Sequence, residues 1–288
     1  MDVENDSEPR TVRVLLPRPD RHFPELPGLP KIAIGSGGYL PIYIGKTVDG
    51  TDWSAAVESW PHLLAAGTTG SGKTTFVRSI LRQLKAYGCD KLQTVVVDGK
   101  GDTDYLGVLP PDLFAPKFPD VQLGHQSAID VLKWATEEME GRRKQIMEIA
   151  RQSPSPQGVK AADLYRAALT DQRTPPIVPL IIIIDEFADI MLASKKSAEQ
   201  FEDMVQRICQ VGRSRLIHLT LATQRPDKET IRGAIKANLN ARAVFRLPAQ
   251  ADSMTVLGRA GAERLMLHGD MLFQHGTGSP IRLQGYKA

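Results

Sequence analysis

The feature that most constrains the fold is the glycine-rich run Gly67-Thr68-Thr69-Gly70-Ser71-Gly72-Lys73-Thr74, which matches the pattern G-x-x-x-x-G-K-[ST] at every fixed position. An apolar run of strand length precedes it at residues 62–66, and apolar residues at helical spacing follow it until Gly88. The run therefore joins a strand to a helix. That order predicts a phosphate-binding loop, whereas the motif alone would also fit an ordinary glycine-rich turn.

The residue types in the loop predict what each position does. Gly67, Gly70 and Gly72 let successive backbone N–H groups and the positive end of the helix surround a phosphate. Lys73 is expected to reach the β- and γ-phosphates of ATP, and the Thr74 hydroxyl is expected to ligate Mg²⁺. The predicted nucleotide-binding residues are Gly67, Thr68, Thr69, Gly70, Ser71, Gly72, Lys73, Thr74 and Thr75.

A second chemical landmark is the aliphatic run at residues 180–184, which ends in Asp185-Glu186. Such a run is typical of a central parallel strand that helices cover on both faces. Asp185 is expected to hold the Mg²⁺ shell, and Glu186 to orient or deprotonate the attacking water. The pattern alone also fits a strand followed by an acidic helix cap. Gln224 ends the next predicted strand, where its amide could sense the γ-phosphate.

The remaining pattern predicts an α/β fold with a mostly parallel central sheet flanked by helices. Residues 1–42 are interpreted as a leader and a small β-rich appendage, and residues 43–288 as the main domain. Within the appendage, residues 1–10 are expected to be disordered, residues 12–16 to form a strand and residues 35–38 a turn. Ser127 and Asp130 are interpreted as a capping box that begins a long helix. Further strands are predicted at 40–45, 52–57, 92–97, 216–223, 244–245, 270–274 and 281–285.

Composition bounds the partners and the compartment. The chain has 288 residues and a net charge of +3, yet the segment from Arg207 to Arg246 has nine Lys or Arg residues against two acidic ones. This local excess of positive charge favours a surface that binds a polyanion. The alternative is that these residues form an ordinary solvent-exposed face. Cys89 and Cys209 lack metal-binding spacing, so a reducing cytoplasm is expected. No run of about 18 apolar residues occurs, so no membrane contact is expected from this chain itself, although a partner or a missing anchor could supply one.

Five motifs in register, from about Tyr43 to the end of the chain, resemble the motor domain of the FtsK/SpoIIIE family of DNA translocases. They lie at residues 61–73, 185–189, 218–226, 235–238, and 261–263 with 269–272. The resemblance implies a RecA-like P-loop ATPase that assembles as a homo-hexameric ring. It also implies that double-stranded DNA passes through the pore and that ATP is hydrolysed at the interfaces between subunits.

The resemblance also assigns residues. Arg213 falls where the family places an arginine finger that reaches the nucleotide of a neighbouring subunit, with Arg215 as the fallback. The residues implied to contact DNA phosphates are Arg225, Lys228 and Arg232.

Two positions depart from the family pattern. The family commonly has Lys at position 250 and Arg at position 254, whereas this chain has Gln250 and Met254. The first position is associated with sensing the neighbour's nucleotide, and the second with DNA. These departures concern the interface and the DNA grip rather than ATP chemistry.

Three functions compete. The leading one is an ATP-driven motor for double-stranded DNA in conjugation, DNA transfer or chromosome segregation. Type VII secretion motors share the fold and many motifs but move polypeptide, and the basic residues 225, 228 and 232 favour DNA over that alternative. A non-translocating nucleotide switch or packaging accessory is the third, against which the intact catalytic residues argue. Since no winged-helix domain follows residue 288 and no membrane segment precedes residue 1, the chain looks more like a motor of a mobile element, or an excised motor fragment.

Overall fold

The computed structural model describes residues 2–5, 12–15, 24–25 and 39–287, except for residues 103, 172 and 174. Its strands are β1 (Asp2–Asn5), β2 (Val12–Leu15), β3 (Pro41–Thr47), β4 (Asp52–Ala56), β5 (His62–Ala66), β6 (Gln93–Asp98), β7 (Gln122–Leu123), β8 (Leu180–Asp185), β9 (Ile217–Thr223), β10 (Ala241–Phe245), β11 (Asp270–His275) and β12 (Ile281–Gln284). Its α-helices are α1 (Lys73–Tyr87), α2 (Gly124–Gln152), α3 (Ala161–Thr170), α4 (Ala188–Ala193), α5 (Lys195–Val211), α6 (Gly233–Asn238) and α7 (Gln250–Leu257).

Strands β3 to β12 form one sheet in the order β4-β3-β12-β11-β10-β5-β9-β8-β6-β7. The half that contains β10, β5, β9, β8, β6 and β7 is parallel. Antiparallel pairs add β11, β12, β3 and β4 at the other side. The predicted α/β class with a mostly parallel central sheet is confirmed.

Helices cover the central strands on both faces, as the unbroken aliphatic run in β8 predicted. Ile181 and Ile183 pack into a core that also contains apolar residues of α1 and α3. Ile182 and Ile184 point to the opposite face, into a core built with α2, α4 and α5. This three-layer arrangement fixes β8 in the middle of the domain.

The parallel strands bring their carboxyl ends to one edge of the sheet, which is where such sheets bind ligands. Asp98 at the end of β6 and Asp185 at the end of β8 are register partners. Ala66 at the end of β5 is likewise paired with Thr223 at the end of β9. The residues that follow these strands therefore meet at the same edge.

The start of the long helix α2 differs from the prediction. The helix begins at Gly124 and has Leu123 at its N-cap, so the predicted capping box at Ser127 and Asp130 is wrong. Gly124 has a φ of +80°, a conformation that suits glycine and lets the chain turn into the helix one turn early. Ser127 lies inside the first turn, and its hydroxyl donates to the Leu123 carbonyl at 2.7 Å.

The amino-terminal segment is described only in part. The predicted strand at 12–16 is present as β2, which pairs antiparallel with β1, so the predicted disorder does not hold for residues 2–5. The predicted turn at residues 35–38 lies outside the described residues. Tyr39 and Leu40 are buried in the main core, and the division of the chain at residues 42 and 43 stays a prediction. Among the described residues, no helix is both long and apolar enough to cross a bilayer.

Candidate active site

The glycine-rich loop between β5 and α1 leaves the start of the helix open to a ligand. Gly70 and Gly72 have φ values of +75° and +106°, in the left-handed region that favours glycine. Helix α1 begins at Lys73, and no side chain caps its first turn. Helix N-termini carry partial positive charge and unpaired N–H groups, so an uncapped one beside glycines fits a phosphate.

Neighbouring strands support the back of this loop. A Cβ added at Gly67 would lie 2.6 Å from the Cβ of Phe245 and equally close to the Ser71 hydroxyl, so a larger residue would push the loop outward. The backbone N–H of Gly67 donates to the Thr223 carbonyl at 3.2 Å. Farther along the loop, the N–H of Gly269 donates to the Ser71 carbonyl at 2.7 Å. The cradle is therefore held in place before any ligand binds.

Lys73 and Asp185 form a buried ion pair across the loop and the end of β8. The side chain of Lys73 is 2% exposed and that of Asp185 is 9% exposed. Burial raises the pKa of Asp185, but the Lys73 ammonium and hydrogen bonds from Lys73 and Tyr105 outweigh it and lower the pKa overall. Asp185 is therefore ionised at neutral pH, and the predicted proximity of these two residues holds.

Two buried groups beside Asp185 were not assigned a role from sequence. The Tyr105 hydroxyl donates to Asp185 Oδ2 at 2.5 Å, from a segment that the sequence pattern left without a role. Asp98 Oδ1 accepts the N–H of Lys100 at 3.0 Å, whereas its buried Oδ2 has no hydrogen-bond partner among the described residues. Burial, followed by the charge of Asp185, raises the pKa of Asp98. An unpartnered carboxylate oxygen beside Asp185 fits a site that binds a cation.

Glu186 is held in one orientation at the start of the next turn. Its φ of +55° is unusual for a residue with a side chain. Its Oε1 accepts the Thr223 hydroxyl at 3.0 Å, and its Oε2 accepts the N–H of Gln224 at 3.0 Å. Gln224 in turn accepts the Thr69 hydroxyl through Oε1 at 2.8 Å. Gln224 therefore contacts the loop directly and Glu186 contacts Gln224, while the catalytic roles of both residues stay predictions.

Arg213 lies outside this cluster. It is exposed, in a short 3-10 helix that precedes β9, and its guanidinium forms no hydrogen bond or ion pair within the described part of the chain. Gln224 follows β9 and contacts the loop, so the seven-residue strand separates Arg213 from its own loop by about 20 Å, at about 3.3 Å per residue. Arg215 lies at the same remote end.

The other residues predicted to bind nucleotide or DNA lie outside these contacts, and their roles stay predictions. Thr74 and Thr75 are half-buried in the first turn of α1. Arg225 and Lys228 are exposed in the loop after β9. Arg232 is less free, because its Nη1 donates to Glu202 Oε2 at 3.0 Å.

Comparison with known proteins decides the family. The model of the FtsK/SpoIIIE family matches residues 36–228, more than half of the chain. The chain belongs to the FtsK/SpoIIIE family. This confirms the resemblance drawn from the five motifs.

Curated FtsK/SpoIIIE relatives are considerably longer than this chain. The DNA translocase FtsK of Caulobacter vibrioides is 35% identical over 269 residues, covering 85% of this chain and 32% of the relative. The DNA translocase FtsK of Pseudomonas aeruginosa is 34% identical over 264 residues, covering 85% of this chain and 31% of the relative. The chain therefore spans about a third of the length of these relatives.

Solved structures show the same fold. The pCW3 conjugation coupling protein TcpA, in its monomer form with ATPγS, superposes with a TM-score of 0.69 at 22% identity, covering 99% of this chain and 76% of that one. The cytoplasmic domain of the type VII secretion ATPase EccC of Thermomonospora curvata superposes with a TM-score of 0.70 at 24% identity, covering 86% of this chain and 28% of that one.

The two departures from the FtsK/SpoIIIE pattern lie on α7. Gln250 is the exposed first residue of the helix, and Met254 is 46% exposed one turn later. Met254 lines a groove together with Lys228, Arg232 and Lys236. The ammonium of Lys236 donates to the Met254 carbonyl at 3.2 Å. A cation thus stands next to the position where the family commonly carries arginine.

Proposed function

We propose that this chain is an ATP-driven motor for double-stranded DNA, working at the subunit interfaces of a homo-hexameric ring. The observation that carries the proposal is the convergence of Lys73, Asp185 and Glu186 at the uncapped start of α1. Relatives that are 34% and 35% identical in sequence to this chain are DNA translocases by name, which supports DNA as the substrate. The free thiols of Cys89 and Cys209 suit a reducing cytoplasm.

The loop would hold the phosphates of ATP, with Lys73 moving from Asp185 toward the β- and γ-phosphates. Thr74 and Asp185 would hold Mg²⁺, and Asp98 lies beside Asp185 at the same sheet edge. Bound Mg²⁺ neutralises charge on phosphate oxygens during phosphoryl transfer. Lys73 and Tyr105 keep Asp185 ionised and oriented, so the carboxylate is ready to accept a cation or its water ligands.

Glu186 would orient the attacking water and take its proton. Thr223 and the N–H of Gln224 donate to the two carboxylate oxygens, which fixes the plane of the group. Gln224 also touches Thr69 of the loop, so movement of the loop on nucleotide binding would be transmitted to Glu186. This contact gives Gln224 a physical basis for sensing the γ-phosphate.

Arg213 would complete the site of a neighbouring subunit. Its remote position at the other end of β9 is incompatible with contact to its own nucleotide and suits a finger that acts in trans. A ring supplies such a neighbour at every interface, because head-to-tail contacts close into cyclic symmetry. Stabilisation of the transition-state charge by a trans arginine is the expected role.

The loop after β9 and the groove on α7 would contact the DNA backbone. Arg225 and Lys228 are exposed cations in that loop, and Arg232 and Lys236 extend the row beside Met254. Contacts to phosphates bind any sequence, which a motor that moves along DNA requires. Arg232 would contact DNA only after leaving Glu202, so Arg225 and Lys228 are expected to contribute more.

The decisive measurement is ATP turnover with and without linear duplex DNA over a salt series. Stimulation should weaken as salt rises, because each phosphate contact releases counterions. The double substitution Arg225→Ala and Lys228→Ala should reduce the slope of log DNA affinity against log salt concentration by about 1.8, at about 0.9 per phosphate contact. Lys117→Ala, which removes an exposed lysine elsewhere, is the control and should keep the slope. Turnover that ignores DNA at every salt concentration would favour protein export instead.

Tyr105→Phe should weaken the response to Mg²⁺. The substitution removes only the hydroxyl that donates to Asp185, so the Mg²⁺ concentration for half-maximal turnover should rise about 10-fold to 100-fold, the usual effect of losing a group that orients a metal ligand. Tyr165→Phe is a matched control, because it removes a hydroxyl that donates to the Lys91 carbonyl away from the site. Equal Mg²⁺ dependence in the two variants would show that the Tyr105 hydroxyl has no part in Mg²⁺ binding.

A further inference from the structure

The short 3-10 helix Gly212–Arg215 carries the proposed finger from the end of α5 to the start of β9. Its backbone is constrained at both ends. A Cβ added at Gly212 would lie 2.8 Å from the carbonyl oxygen of Ile217, so glycine is required there. Leu216 follows with a φ of +56°, a left-handed conformation that persists in residues with side chains only when their surroundings fix it.

A buried cation from another element, Arg142 of α2, fixes this turn. The two N–H groups of its Nη1 are shared among the carbonyl oxygens of Val178, Arg215 and Leu216, at 2.8, 3.0 and 3.2 Å. Its Nε donates to Glu138 at 2.9 Å, and the side chain is only 5% exposed. Two of the three carbonyls belong to the turn, and the third belongs to the segment that enters β8.

We propose that Arg142 is a positioning residue for Arg213, holding the turn so that the finger projects toward the nucleotide of the neighbouring subunit. This inference rests on the proposed shared site. Arg142 acts through the backbone of residues 215 and 216 and touches neither nucleotide nor DNA. A finger contributes only when its guanidinium meets the phosphate within hydrogen-bond geometry, and a misplacement of about 1 Å can cost about 10²-fold in rate.

The chemistry of Arg142 argues for positioning rather than for stability alone. Burial lowers the pKa of Arg142, because removing a guanidinium from water is costly. The hydrogen bond to Glu138 opposes this shift. A well-packed apolar side chain often stabilises a fold as well as a buried ion pair does. Met139 and Ile146 on the same face of α2 are apolar and buried. What an apolar residue at position 142 could not supply is the set of directed bonds to the turn.

Three single variants test the inference. Arg142→Met removes the bonds, and DNA-stimulated turnover should fall about 10²-fold while binding of a fluorescent ATP analogue is retained. Arg143→Met is the matched control, because it removes the neighbouring guanidinium from the exposed side of the same helix and should leave turnover unchanged. Arg142→Lys keeps the charge but not the forked geometry, so it should lie between wild type and Arg142→Met. Arg142→Lys also tests the inference if Arg142→Met does not fold.

Mixing subunits separates positioning from general damage. Arg142→Met subunits retain an intact nucleotide site, so mixing them with Lys73→Ala subunits should restore turnover, because the latter keep an intact finger. In a random 1:1 ring about one interface in four pairs the two intact halves. Mixing Arg142→Met with Arg213→Ala subunits should restore nothing, since both lack a working finger. Arg142→Lys should show the same asymmetry.

The outcomes that overturn the inference are distinct from failure of the proposed function. One such outcome is that turnover recovers when Arg213→Ala subunits are mixed with Lys73→Ala subunits but not when either Arg142 variant is mixed with them. In that case Arg142 supports the nucleotide site or the fold as a whole, and a positioning role is excluded. Recovery between Arg142→Met and Arg213→Ala would also exclude it. If Arg213→Ala itself fails to recover with Lys73→Ala, the shared site is wrong and the inference falls with it.

Discussion

Glu186→Gln should sharply reduce steady-state ATP turnover while leaving ATP bound. The amide keeps the shape of the side chain, and its oxygen can still accept from the Thr223 hydroxyl or the Gln224 N–H. It cannot take a proton from water at neutral pH. General-base catalysis typically contributes about 10² to 10⁴ in rate, so turnover should drop by that factor. Single-turnover hydrolysis of radiolabelled ATP, with binding measured in parallel, would show this.

A matched control accompanies this substitution. Glu199→Gln makes the same change on the exposed surface of α5, where the carboxylate lies 3.8 Å from Lys195, and should leave turnover intact. Under the proposed function, trapped ATP in the Glu186 variant should also keep the protein on DNA, since hydrolysis is the step that is blocked. Unchanged turnover in the Glu186 variant would show that another group activates the water, and Asp98, buried at the adjacent strand end, would be the next residue to substitute.

The parts of the site that the sequence predicted are those with local signals. The loop glycines, Lys73 and the strand before Asp185 each follow from patterns within a few residues, because backbone conformation and strand burial are set locally. The parallel topology then brings strand ends together, so the meeting of Lys73 with Asp185 needed only the order of strands. Gln224 was predicted in the same way, as the residue that ends the neighbouring strand.

Tyr105 and Arg142 could not be assigned in this way, because their contacts join distant parts of the chain. Tyr105 reaches Asp185 across 80 residues from a loop with no regular pattern. Arg142 did leave a signal: it lies three residues after Met139 and four before Ile146, so it falls on the buried stripe of α2. An arginine on an apolar stripe predicts a buried cation, but the sequence does not show which carbonyls it meets.

Strand β9 lies between the phosphate-binding loop and the proposed finger of one subunit. At its carboxyl end, Gln224 contacts the loop and Glu186 of the same chain. At its amino end lies the turn that carries Arg213, the finger proposed to act in trans. All seven residues of the strand between them are buried, and such tightly packed elements transmit strain. In a ring, this would link the nucleotide state of one subunit to the finger that it offers to the next.

Arg213→Ala should reduce turnover about as strongly as loss of an arginine finger does elsewhere, by about 10³ to 10⁵. ATP binding should be retained, since Arg213 lies about 20 Å from its own loop along β9. Arg215→Ala tests the fallback residue, and Arg207→Ala removes an exposed arginine from α5 as the control. The measurement is DNA-stimulated ATP turnover together with binding of a fluorescent ATP analogue.

Mixed rings decide whether Arg213 acts in trans. Lys73→Ala subunits should bind no ATP but still present Arg213 to their neighbour, so mixing two inactive variants should restore turnover at the interfaces that combine an intact loop with an intact finger. A finger acting in cis cannot be supplied by another subunit, so the mixture would stay inactive. If Arg215→Ala rather than Arg213→Ala shows the large loss and the recovery, the finger moves two residues along the same turn. The remote end of β9 would still be the part of the chain that completes the neighbour's site.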